Sequence, residues 1–124
     1  RRHIHSHPEL SGEEQETSLY IQKILGELEI SYVNDVSDYA VIGEIQGAHT
    51  GPVIALRADI DALPIHEATG LPFASQNEGV MHACGHDAHM TMGLGLAEYL
   101  AAHKDEFKGT IKLICLVLLL FCNQ

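Results

Sequence analysis

At 124 residues the chain has room for one ordinary domain with a real core. With 46% apolar, 19% charged and 6% aromatic residues, it reads as soluble and globular rather than disordered. A net charge of −10 argues against binding to nucleic acid or an anionic membrane, since both need clusters of Lys and Arg.

Cys84, Cys115 and Cys122 are too few and too scattered for a disulfide framework, which points to a reducing cytosol and a cytoplasmic protein. The chain opens at Arg1 without a signal-peptide pattern, so a native start is not expected there. Leu113 to Cys122 is an apolar run, but a membrane helix needs roughly 20 residues, so a buried strand is the first reading.

His3, His5 and His7 alternate ahead of Pro8, which suits a helical turn or an extended lead that Pro8 ends. Ser11-Gly12-Glu13-Glu14 has the form of a capping box with Ser11 as N-cap. Ile21, Ile24, Leu25 and Leu28 then recur at helical spacing, predicting an amphipathic helix from about Gly12 to Leu28. Ile30–Val33, Ala40–Ile45 and Val53–Leu56 are strand candidates. The last two are joined through Gly47 to Pro52, which suggests an antiparallel hairpin.

Val53–Leu56 is apolar throughout, as a central strand buried on both faces would be. It runs into Arg57-Ala58-Asp59-Ile60-Asp61, so two carboxylates follow the carboxyl end of a strand, where open α/β sheets build their sites. Ile65 to Gly79 lacks periodicity and reads as a long loop of the functional kind. Asp87 could cap a helix from Ala88 to about His103, apolar nearly all round and therefore buried, with Gly93 and Gly95 allowing close approach to a sheet. An apolar strand starts at Thr110. The order α, β, β, β, α, β is that of a three-layer α/β domain or part of one.

Met81-His82-Ala83-Cys84-Gly85-His86-Asp87-Ala88-His89 concentrates thiol, imidazole and carboxylate ahead of that second helix. A thiolate and an imidazole suit a borderline-soft cation such as zinc. Each residue alone has a plainer explanation: Cys84 as a small hydrophobe, His86 as a hydrogen-bonded histidine, Asp59 as an ion-pair partner of Arg57, Asp87 as a helix cap. Together they favour a metal site, because two aspartates ending a buried strand are costly to desolvate without a cation or hydrogen bonds. There is no Gly-x-Ser-x-Gly elbow and no phosphate loop.

These three stretches resemble the N-terminal part of the M20 metallopeptidase family, in its amidohydrolase branch. They are Arg1-Arg2-x-x-His5-x-x-Pro8-Glu9-Leu10, Arg57 to Pro64, and Met81 to His89, in order. That branch includes hippurate hydrolase, N-acyl-amino-acid amidohydrolases and auxin-conjugate hydrolases. The resemblance implies the N-terminal portion of a three-layer, zinc-peptidase-like catalytic domain with a mixed sheet. It implies a hydrolase of the amide bond of N-acyl amino acids, with Cys84 and His86 as metal ligands and Asp59 and Asp61 as active-site acids. Two divalent ions per complete site follow from it, zinc or manganese, with cobalt or nickel as further candidates. Its partner would be the small-molecule substrate, without nucleic acid or membrane, and full-length relatives could be homodimers.

The likeness runs to about Ile114, so residues 115–124 are expected to be an aberrant apolar tail on a partial catalytic domain. In the family, two adjacent glutamates, a general base and a ligand, stand about where Leu119 and Leu120 stand here. Leucine neither ligates nor carries a proton, so the chain as written is expected to have little or no activity. The alternative is a non-catalytic fragment or interaction module with at most a structural metal.

Overall fold

Four strands build one mixed sheet in the order β1-β2-β4-β3. They are β1 (Ser31–Val33), β2 (Val41–Gln46), β3 (His49–Asp59) and β4 (Lys108–Leu116). The structure is a computed structural model and describes residues 1–117.

The expected hairpin between the second and third strands does not form. β4 is inserted between them, antiparallel to β2 and parallel to β3. Gly47 to Pro52 is therefore a crossing rather than a tight turn. Gly109 makes it possible: at φ 86 its backbone lies so close to Pro52 that a Cβ would meet the Pro52 carbonyl oxygen at 2.0 Å.

β3 also departs from the expectation of a central strand buried on both faces. It is an edge among the described residues, and Val53 and Ile54 are more than half exposed. Only towards its carboxyl end does it enter the core, with Ala58 at 2% exposure.

The helices lie on one face of the sheet. Helix α2 (Gln15–Glu27) buries Ile21 and Leu25, one turn apart, and Leu25 reaches over Gly43 of β2. Helix α3 (His86–Ala102) lays Gly93 over Leu113 of β4 and Ala58 of β3. Gly43 and Leu113 are register partners, so both helices share a face. The core gathers Ile21, Leu25, Val41, Ile45, Met90, Leu113 and Cys115. Burial pushes the Cys115 thiol up to about 12, so it is an inert core group. The opposite sheet face carries the Glu44–Lys112 ion pair and, among the described residues, is not covered by a helix.

The capping box is not used. α2 starts at Gln15, and its first turn is capped from a distance by Glu9, whose carboxylate accepts from the N–H groups of Glu16 (3.1 Å) and Thr17 (2.7 Å). Glu14, almost wholly buried, instead accepts from Gly12 N–H, and burial raises its carboxyl above the ordinary value. At the other end Glu29 takes φ 55, with Ile30 N–H bonded to Leu25 O and Glu29 N–H to Gly26 O, a Schellman closure.

α3 is not buried all round. Met90, Leu94 and Ala97 face the sheet, while Met92, Leu96 and Tyr99 are exposed. Gly93 makes the expected close approach, whereas Gly95 faces open space. Helix α1 (Arg2–Ser6) resolves the first ambiguity as a helical turn ahead of Pro8. No described helix is long and apolar enough to cross a membrane.

Candidate metal centre

The end of β3 and the start of α3 meet at His86. Its Nδ1 lies 2.9 Å from the Asp61 backbone oxygen and 3.0 Å from Asp61 Oδ1. Both partners are acceptors, so Nδ1 carries the proton and donates it. Nε2 is then left with its lone pair, 3.9 Å from Asp59 Oδ2, too far for a hydrogen bond. Asp59 turns its other oxygen to Arg57, which donates to Oδ1 from Nε at 2.9 Å and from Nη2 at 2.5 Å. The ion-pair explanation for Asp59 thus holds, and it leaves Oδ2 directed towards the imidazole.

Cys84 is exposed, two residues before His86, on the turn that Gly85 (φ 86) makes into α3. The His86 tautomer is fixed by the Asp61 backbone oxygen, with the Asp61 carboxylate alongside, the arrangement in which histidine serves as an Nε2 ligand. The donor set fits a divalent cation in part. No group of three or more His, Cys, Asp or Glu side chains converges as a complete set among the described residues. Leu119 and Leu120 lie outside the described residues.

Asp87 is not the N-cap; Gly85 is. Asp87 sits inside the first turn of α3, fully buried, and Oδ2 accepts from Arg1 Nε and from His5 Nδ1, each at 2.9 Å. The other nitrogen of His5 reaches Glu67 Oε1 at 3.1 Å. With a carboxylate on each nitrogen, the buried His5 ring is placed to donate from both, which favours its protonated form. Burial opposes that charge, but the bonds to Asp87 and Glu67 outweigh it and raise His5 above its ordinary value. Burial likewise works against the Asp87 carboxylate, yet Arg1 and His5 hold it below the usual range. Glu67 is held at about 2 by the Thr69 hydroxyl and the Ser75 N–H, with His5 adding to them.

His82 lies behind this cluster, 3% exposed, its ring centroid 6.5 Å from that of His5. Neither of its nitrogens has a partner among the described residues, and burial lowers it to about 4, so it is neutral. The alternating N-terminal histidines thus divide. His5 is the hub of a buried ion network, while His3 and His7 stack near the surface. Sequence reasoning missed the hub. The available signal was a histidine four residues after Arg1 on a segment whose sequence suited a helical turn or an extended lead equally.

On this mixed α/β sheet an acidic strand end thus meets the His86 imidazole, with the exposed Cys84 two residues away along the chain. The profile described as peptidase family M20/M25/M40 matches residues 55–117, which include all four of these side chains. The chain belongs to that family. It is 52% identical to the N-acetyl-L-cysteine deacetylase of Bacillus subtilis (strain 168), covering 92% of this chain and 27% of that protein. Against the N-acyl-L-amino acid amidohydrolase of Geobacillus stearothermophilus it is 44% identical, covering 92% and 31%. A solved Bacillus subtilis protein described as a dinuclear metal-binding peptidase from the M20 family superposes with a TM-score of 0.88 at 50% identity. That match covers 92% of this chain and 32% of the other. The chain therefore spans about 30% of the length of the relatives it matches.

Proposed function

We propose that this chain carries one side of an amidohydrolase metal centre, with Cys84 and His86 as ligands to a divalent cation, zinc or manganese, and Asp59 and Asp61 as its acids. The observation that carries this reading is the His86 ring, donated through Nδ1 to Asp61 and open at Nε2 towards Asp59. The bond to the Asp61 backbone oxygen, with the carboxylate close by, fixes the tautomer and leaves Nε2 turned towards Asp59. Arg57 draws off one oxygen of Asp59 and orients the other. A bound divalent ion would supply polarisation of an acyl carbonyl and a hydroxide at neutral pH.

The substrate class is the N-acyl amino acid, supported by the names of the deacetylase and amidohydrolase relatives. Cytoplasmic residence is supported by the exposed free thiol of Cys84, which an oxidising compartment would put at risk. Residues 115–124 form an apolar tail on a partial domain in this reading, although β4 continues through Leu116.

Leu119 and Leu120, in place of the glutamates that the family resemblance calls for, favour a second reading for this chain in isolation: metal held without turnover. Dialysis against cobalt(II) or zinc, with an assay on N-acetyl and N-benzoyl amino acids, separates the two. Metal should be retained by the wild-type chain, lost from Cys84→Ser and His86→Ala, and accompanied by little or no hydrolysis. Retention unchanged in both variants would refute the ligand assignment. Chelator-sensitive hydrolysis by the chain would refute its inactivity.

A further inference from the structure

We infer that His5 is a positioning residue for the candidate metal centre: through Asp87 it pins the first turn of α3, and with it the adjacent His86. The inference deepens the metal reading above and rests on it for its functional consequence.

The geometry is a strap of three segments distant in sequence. Asp87 stands next to His86, with no exposed surface. A buried carboxylate there is costly unless cations compensate it, and two do, Arg1 and His5. Arg1 is half exposed on its side chain, so water screens its share, whereas the His5 side chain is only 5% exposed. His5 is therefore the anchor that water does not loosen.

Its second nitrogen ties the same ring to Glu67, which also gathers Thr69 and Ser75. One imidazolium thus links α1, the long loop and the start of α3. On α3, the N–H groups of Ala88 and His89 both close on Gly85 O, at 3.0 and 3.1 Å, so the turn that Asp87 anchors is the turn that carries His86. If Asp87 is freed, that turn loses the buried side-chain anchor it has among the described residues, and His86 shifts against Asp61.

The test uses the 124-residue chain with three substitutions. His5→Asn keeps an N–H near the Nδ1 position and so the bond to Asp87. His5→Gln reaches towards Glu67 but abandons Asp87, and His5→Leu abandons both. Amide hydrogen exchange is read at Ala88 and His89, with Ala97 as the control further along α3. Cobalt(II) affinity is read from the thiolate charge-transfer band.

We expect exchange at Ala88 and His89 to accelerate at least tenfold in His5→Leu and His5→Gln, with Ala97 unchanged, and to stay near wild type in His5→Asn. Cobalt affinity should fall about tenfold in the same two variants and recover in His5→Asn, in line with the effect of orienting groups on metal ligands. Uniform acceleration along α3 would mean general loosening and overturn the inference, as would wild-type exchange in His5→Leu. The exchange readout needs no metal. A wild-type chain that binds no cobalt would therefore overturn the ligand assignment, while exchange alone still decides the role of His5.

Discussion

His82 is the residue whose environment speaks most directly to pH. Its ring is buried and neutral, lowered to about 4 by desolvation, while in the unfolded chain it titrates near 6.5. A group whose folded value is depressed takes up its proton first in the unfolded state, so stability falls as pH drops from 6.5 towards 4. The full loss is on the order of 3 kcal/mol, one pKa unit being worth about 1.4 kcal/mol. His5 has the opposite sign. Its raised value adds stability that is present below 6.5 and fades as pH rises through the folded value.

Urea unfolding at pH 7.5 and pH 5 should therefore show His82→Phe within about 1 kcal/mol of wild type at the higher pH. At pH 5 the variant should be the more stable protein. Equal pH dependence in the two proteins would show that His82 is not the group responsible. A protonation effect of this kind was not visible in the sequence, where His82 is one of three histidines in the cluster. Asp59, Asp61, Cys84 and His86, by contrast, could be singled out from the sequence because each pair falls within a few residues of the end or start of an expected element. Asp59 ends β3 with Asp61 two residues beyond it, and His86 opens α3 with Cys84 two residues before it, while α3 packs on β3 through Gly93 and Ala58.

Among the elements, α2 separates what spacing can reveal from what it cannot. Its core face was readable, since Ile21 and Leu25 must share a side. Its start was not. The local Ser-x-x-Glu pattern pointed to Ser11, whereas the cap comes from Glu9, across a turn that depends on Gly12 at φ 86. Glu9→Ala should cost about 1 kcal/mol by removal of two charge-assisted bonds at the helix start. Ser11→Ala should change thermal stability by less than about 0.5 kcal/mol. Reversal of that ranking would restore the capping box. α3 shows the same limit in another way. Its nearly all-round apolar pattern suggested full burial, yet the helix covers only one sheet face and leaves Met92 and Leu96 outside.

For the whole molecule, the sheet order was beyond sequence reasoning because β2 and β3 are neighbours in the chain and look like a hairpin. Only the arrival of β4 between them reveals the real pairing. Among the described residues the resulting edge carries Val53 and Ile54 largely exposed, on a strand paired on one side. Such edges template association between chains. Val53→Lys should raise the concentration at which the protein stays monodisperse in light scattering, without lowering its melting temperature by more than about 2 °C. If the variant clusters as readily as wild type, association uses some other surface.

The placement of β4 also sets an order of events during synthesis. The only strand that pairs with β3 among the described residues comes after every candidate site residue in the chain. Until Lys108–Leu116 emerges, the strand that delivers Asp59 has no described strand to pair with, and only α3 to lie against. The candidate site is thus assembled only once a strand that follows all its residues has been made. A nascent chain stopped at Phe107 would hold every candidate ligand and still have no place to put them.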